Sequence, residues 1–175
     1  MNWLPENDNG CRRGEYYENL EILRQIDFFS GLDLDVLKIL AYLSCRRLYR
    51  SGDFIFRRND DDGQALYLLT GHLQLLDDEH PLLPMIRKYG AGCFLGGLSL
   101  LGSMPRLFSL KAVSDCECLT LTREKFAKAL EQYPQMMPTV IKKIIERIRA
   151  WEQNCLMHTI DREKIQTHCV GVSLL

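Results

Sequence analysis

The stretch Gly92-Cys93-Phe94-Leu95-Gly96-Gly97-Leu98-Ser99-Leu100-Leu101-Gly102-Ser103-Met104-Pro105-Arg106-Leu107-Phe108-Ser109 decides how the rest of this chain is read. Two adjacent glycines, Gly96 and Gly97, lead into the run Leu98-Ser99-Leu100-Leu101. Glycine admits backbone conformations and close approaches denied to other residues, so this run can form a tight turn feeding a single helical turn. Backbone N–H groups exposed at such a turn make a seat for an anion. Further on, Pro105 fixes the chain ahead of Arg106, whose guanidinium can bring a forked cation to the same anion. Gly96, Gly97, Leu98 and Ser99 are therefore the candidate backbone donors and Arg106 the candidate cation. The plainer alternative for Arg106 is a strand-end arginine at the surface.

Outward from this segment the chain alternates short runs of β-branched, aromatic and leucine residues with turn clusters. Leu48-Tyr49 stops at Ser51-Gly52, and Phe54-Ile55-Phe56 stops at Asn59-Asp60-Asp61-Asp62-Gly63. Residues 65–69 stop at Gly71, residues 73–76 at Asp77-Asp78-Glu79, and residues 85–89 at Gly90-Ala91-Gly92. Further runs lie at 107–113 and 117–122. This cadence predicts about eight short strands in an antiparallel roll or sandwich. Helical spacing flanks it on both sides. Leu20, Leu23 and Ile26 mark a first helix from Tyr16, which Phe28-Phe29-Ser30-Gly31-Leu32 interrupts. Asp33 or Asp35 then caps a second helix carrying Leu37, Ile39, Leu40 and Leu43. After the strands, Thr122 caps a helix with Phe126, Ala129 and Leu130 on one face, and Tyr133-Pro134 ends it. Pro138 suits the first position of a long final helix, where its missing N–H costs nothing. Its residues Ile141, Ile144, Ile148, Trp151 and Cys155 are spaced 3, 4, 3 and 4, a heptad seam. That seam can pack on the roll or join two copies; Lys142, Lys143, Arg147 and Arg149 read as its solvated face.

The expected fold is α+β: an antiparallel, jelly-roll-like β-roll flanked by N-terminal helices and a long C-terminal helix. The expected division is a loose N-terminus at 1–13, one domain at 14–157 and a tail at 158–175.

Composition narrows the function. A chain of 175 residues, 46% hydrophobic and 26% charged, is an ordinary globular protein, and its net charge of −1 gives no field toward nucleic acid or anionic lipid. Neither direct nucleic-acid binding nor a membrane span is expected. The start Met1-Asn2-Trp3-Leu4-Pro5-Glu6 lacks the basic and apolar regions of a secretory signal, and seven cysteines without a framework suit a reducing cytoplasm. Cys116 and Cys118 share one face of a strand, but no third ligand lies nearby; His72 and His80 do not form a close pair. Packing is the reading for these cysteines. With no nucleophile motif, paired catalytic carboxylates or phosphate loop, no enzyme activity, cofactor or metal is expected.

The segment quoted above resembles the phosphate-binding cassette of cyclic nucleotide-binding domains, which reads Phe-Gly-Glu-Leu-Ala-Leu-Leu, a few residues, then Pro-Arg. Gly96, Leu98, Ser99 and Leu100 fall on the cassette's glycine, apolar and small positions, and Pro105-Arg106 on its Pro-Arg. Gly90-Ala91-Gly92 resembles the preceding Gly-Pro-Gly turn, and Tyr67-Leu68-Leu69-Thr70-Gly71 an early strand. The resemblance extends from about Ile26 to Cys155. It implies a regulatory, non-catalytic sensor. The ligand would be a small anion or nucleotide such as cyclic AMP or cyclic GMP, and the signal would leave through the last helix, by which related regulators dimerise. The cassette is degenerate. Gly97 stands where the family glutamate bonds the ribose 2′-hydroxyl, and Leu107 and Phe108 stand where small residues are usual. A lost charge-assisted hydrogen bond costs about 1.5–3 kcal/mol, and Phe108 can enter the space of a nucleotide. The second reading is thus a ligand-free structural or dimerisation module.

Overall fold

The computed structural model describes residues 13–79 and 85–158. The chain opens with α1 (Arg13–Gln25), a 3₁₀ turn at Asp27–Phe29 and α2 (Leu34–Leu43). Eight strands follow: β1 (Cys45–Tyr49), β2 (Phe54–Phe56), β3 (Gln64–Thr70), β4 (His72–Leu76), β5 (Met85–Gly90), β6 (Phe94–Leu95), β7 (Ser109–Ala112) and β8 (Cys116–Thr122). Helix α3 (Arg123–Gln132), a 3₁₀ turn at Pro134–Met136 and α4 (Met137–His158) complete it. Apart from Arg13 and His158, the expected N-terminal segment and tail lie outside the described residues, as does His80.

The strands form two four-stranded antiparallel sheets, in the orders β1-β8-β3-β6 and β2-β7-β4-β5. The central strands of the first sheet, β3 and β8, are buried on both faces, which explains the unbroken apolar run of β3, while Leu48 on the edge strand β1 is 82% exposed. Ala65 faces the helices while Leu66 and Leu68 face the roll interior, following the two-residue period of a strand. On β8 the same alternation sends Leu119 and Leu121 to the helices and Cys116 and Cys118 inward. The second sheet covers one core only: Leu73 and Leu75 of β4 are fully buried and Gln74 between them is half-buried. The chain passes from β3 in one sheet to β4 in the other at Gly71, with φ of +90°; a Cβ there would lie 2.3 Å from the Asp115 carbonyl. Only glycine fits this crossing.

The helices close the other core with Leu20, Leu23, Phe28, Phe29, Leu40 and Phe126. Thr122 caps α3, its side chain accepting the Lys125 N–H at 3.4 Å. Asp33 occupies the N-cap position of α2 without a side-chain cap bond. Three expectations shift. Helix α1 starts three residues before Tyr16, β7 starts at Ser109 rather than Leu107, and Pro138 is the second residue of α4. The heptad seam is divided: Ile144 packs against the body beside buried Val140, whereas Ile141 is 46% exposed and the neighbouring Ile145 is 52% exposed. Cys155 has its side chain outside the described residues.

Candidate anion-binding cassette

Strand β6 runs into Gly96, whose φ of +81° is left-handed, and the chain then makes the 3₁₀ turn Gly97–Leu100. The Ser99 N–H donates to the Gly96 carbonyl at 3.1 Å and the Leu101 N–H to Leu98 at 3.0 Å. Gly96 is needed for two reasons: its φ, and a Cβ position that falls 2.7 Å from the Gln64 carbonyl and 2.9 Å from Arg106 Nη1. Arg106 therefore does come to the glycine turn, although ten residues separate them in sequence.

Arg106 is not a surface arginine. It is 2% exposed; its Nε and Nη2 lie 2.9 and 2.7 Å from Asp62 Oδ1, and Nη2 also donates to the Gln64 carbonyl. The Phe56 ring covers the guanidinium at 4.2 Å from its centroid, a cation–π contact. Gly97 and Ser99 are buried and Leu98 is half-buried. Leu107 is 55% exposed and points away from the core, while Phe108 is half-buried against the roll interior. The space at Gly97 is filled by two aromatic rings, one from the N-terminal helical segment and one from β6: a Cβ there would lie 2.8 Å from Phe28 Cε2 and 3.0 Å from Phe94 Cε1.

The loop between β2 and β3 holds the cassette in place. The Arg106 N–H donates to the Asp60 carbonyl and the Asn59 N–H to the Arg106 carbonyl, both at 2.8 Å. Asp61 accepts from Ser103 Oγ at 2.6 Å, from the Met104 N–H at 3.4 Å and from the Arg123 guanidinium. Arg123 Nε in turn donates to the Ser99 carbonyl at 2.8 Å. In the sequence Phe28 reads as part of a helix break and Asp62 as part of a turn, and neither they nor Arg123 read as site residues. The three aspartates read as a turn, and the one available signal was an acidic run on a chain that also carries a Pro-Arg.

Hydrogen bonding to Arg123, then to Ser103, holds the Asp61 carboxyl well below the ordinary value of 3.8. A depressed carboxyl adds stability that is present above its unfolded value and lost as pH falls through the folded one. Asp61→Asn is therefore less stable than the wild type at pH 7, and the gap narrows progressively below about pH 3.8, as urea melts across pH will read. Because Asp61 is solvent-exposed, the gap also shrinks in high salt.

Cys116 and Cys118 share a face as the sequence implies, and that face is the roll interior. Burial, reinforced by Cys116 and Glu117, pushes the Cys118 thiol up to about 12. Among the described residues no group of three or more His, Cys, Asp or Glu is placed to hold a metal ion. No described helix is long and apolar enough to cross a membrane.

A two-sheet roll closed by helices, with a glycine turn set against a buried arginine, defines a class of regulatory domain. The chain belongs to the cyclic nucleotide-binding domain family, whose model matches residues 46–133 of its 175. It is 32% identical over 126 residues to the cyclic AMP receptor protein of Thermus thermophilus, covering 69% of this chain and 56% of that one. It is 23% identical over 136 residues to a cyclic nucleotide-gated potassium channel of Rhizobium etli, covering 78% of this chain and 37% of the channel. The chain thus spans between about a third and just over half of these relatives. The N-terminal domain of a Streptomyces coelicolor transcriptional regulator has the same fold, with a TM-score of 0.66 at 20% identity over 76% of this chain and 94% of that one.

Proposed function

We propose that the chain is a cytoplasmic, non-catalytic sensor domain that binds a small anionic, nucleotide-like ligand at the cassette and signals through α4. The observation that carries this reading is the Arg106 guanidinium buried beside the left-handed Gly96 turn. A buried arginine is costly to keep unless it is paired, and this one retains a spare donor: Nη1 is buried with no hydrogen-bond partner, and so is the nearby Ser99 Oγ. The Thermus relative is by name a receptor for cyclic AMP, which makes a cyclic nucleotide the ligand class to try first.

A packed route to α4 supports the second half. Gly97 abuts Phe28 in the turn Asp27–Phe29, Phe28 lies 5.3 Å centroid to centroid from Phe94, and Lys143 of α4 reaches Asp27 at 3.4 Å. A ligand that shifts the cassette turn therefore biases the seat of α4.

The second reading, a ligand-free interaction module, is favoured by one observation: the half-buried Phe108 packs against the roll interior. In it, the exposed Ile141 and Ile145 of α4 meet a second copy. Calorimetric titration of the wild type and Arg106→Ala with cyclic AMP and cyclic GMP separates the two. Saturable heat that Arg106→Ala loses supports the sensor; no heat and no rise in melting temperature at millimolar nucleotide supports the module.

A further inference from the structure

Arg106 already holds an anion, and that anion is part of the chain. The Nε–Nη2 edge is where a guanidinium grips a carboxylate or phosphate with two parallel bonds. Here both nitrogens of that edge converge on one oxygen, Asp62 Oδ1. One face of the guanidinium is covered by Phe56, and Nη1 lies against the Gly96 turn, where even a methyl group would sit 2.9 Å away. A ligand anion that is to be gripped with two bonds has to take the edge that Asp62 occupies.

We propose that Asp62 is a specificity-determining residue at this seat: its carboxylate holds the two-bond edge of Arg106, and a phosphate-bearing ligand binds by exchanging with it. This rests on the anion-binding reading of the cassette. Three features make Asp62 a displaceable occupant rather than a permanent partner. It uses one oxygen for both bonds and leaves Oδ2 buried with no partner, whereas a tetrahedral phosphate offers two oxygens to the same edge. The Gln64 side-chain carbonyl on the same segment is also buried and unpartnered, so the closed arrangement carries a cost that an open one relieves. The Asp62 side chain is 15% exposed against 2% for Arg106, so a change of rotamer returns the carboxylate to water while the guanidinium stays. Exchange also preserves charge. One singly charged group replaces another beside the arginine, whereas adding a phosphate without displacement would crowd two negative charges on one cation.

The test is Asp62→Asn, which keeps the shape and an oxygen acceptor while removing the competing charge. Calorimetry with cyclic AMP is expected to show binding about 10- to 100-fold tighter than in the wild type, the worth of one charge-assisted bond. As a second readout, inorganic phosphate is expected to raise the melting temperature of Asp62→Asn more than that of the wild type, because the ion fills the vacated edge. Asp62→Asn/Arg106→Ala is expected to lose this extra rise. If the wild type binds and Asp62→Asn binds equally or more weakly, the exchange is wrong and the ligand reading stands. If neither protein binds cyclic AMP or responds to phosphate, both fall.

Discussion

Arg106→Ala is expected to destabilise the domain by about 3 kcal/mol, at the lower end of what removing one partner of a buried ion pair costs. For a domain of this size that is a fall in melting temperature of ~6–12 °C. The loss is larger than that of any single contact because four things go together. Asp62 is left mostly buried without its cation, the Gln64 carbonyl loses its donor, Phe56 loses the charge stacked on its ring, and a void opens beside the Gly96 turn. Partial exposure of Asp62, at 15%, keeps the figure at the lower end, since water reaches the carboxylate once the arginine is gone. Arg106→Lys should recover only part of the loss, because a single ammonium cannot serve the Asp62 edge, the Gln64 carbonyl and the Phe56 face at once. The contrast is Arg24→Ala. Arg24 pairs with Glu21 at 3.1 Å with both side chains more than half exposed, and such pairs are worth about 0–1 kcal/mol. Thermal or urea melts of the three variants check this directly. Equal, small losses for Arg24 and Arg106 would mean that Arg106 is not held as described. The same result bears on any ligand titration, which has to be done below the melting temperature of Arg106→Ala to count as loss of a donor.

The features legible in the sequence were those written locally. Strand ends were marked by glycine and aspartate clusters, and the ends of β2, β3 and β4 fall at or within a few residues of them. Gly96 and Arg106 could be paired because the cassette carries both within one short stretch. Strand β6 escaped because two residues, Phe94–Leu95, show no period, and their strand character comes from pairing with Leu66 and Tyr67 of β3. Asp62 escaped because its partner lies 44 residues away and three aspartates in a row look like a turn from either end. Phe28 was legible as the end of a helix and not as a cassette neighbour. Sequence spacing fixes which face a residue takes on its own element, and it says nothing about which distant element meets that face.

Gly97 is where this limit matters most, because the missing family glutamate reads as a ligand-side loss and the structure gives the position a packing duty. Gly97 sits in a 3₁₀ turn without a positive φ, so its backbone accepts other residues, and helix-type propensity alone would favour Gly97→Ala. The space does not accept them. With contacts of 2.8 and 3.0 Å to Phe28 and 3.0 Å to Phe94, a Cβ forces two aromatic rings to shift. Overpacking of this kind costs about 1–3 kcal/mol. Gly97→Glu should cost more, because its carboxylate stem starts against the same two rings, and it should not create a ribose contact. The decisive measurement is a double-mutant cycle with Phe28→Ala. If Phe28 is what fills the site, Gly97→Ala costs clearly less in the Phe28→Ala background, with a coupling of about 1 kcal/mol or more. Equal cost in both backgrounds would remove Phe28 from the account. Because the turn that carries Phe28 is also the one Lys143 of α4 reaches, hydrogen exchange in α4 should quicken in Gly97→Ala while exchange in β4 and β7 stays unchanged. A crowded cassette that loosened the distant sheet and spared α4 would show that the turn at Asp27–Phe29 does not link the two.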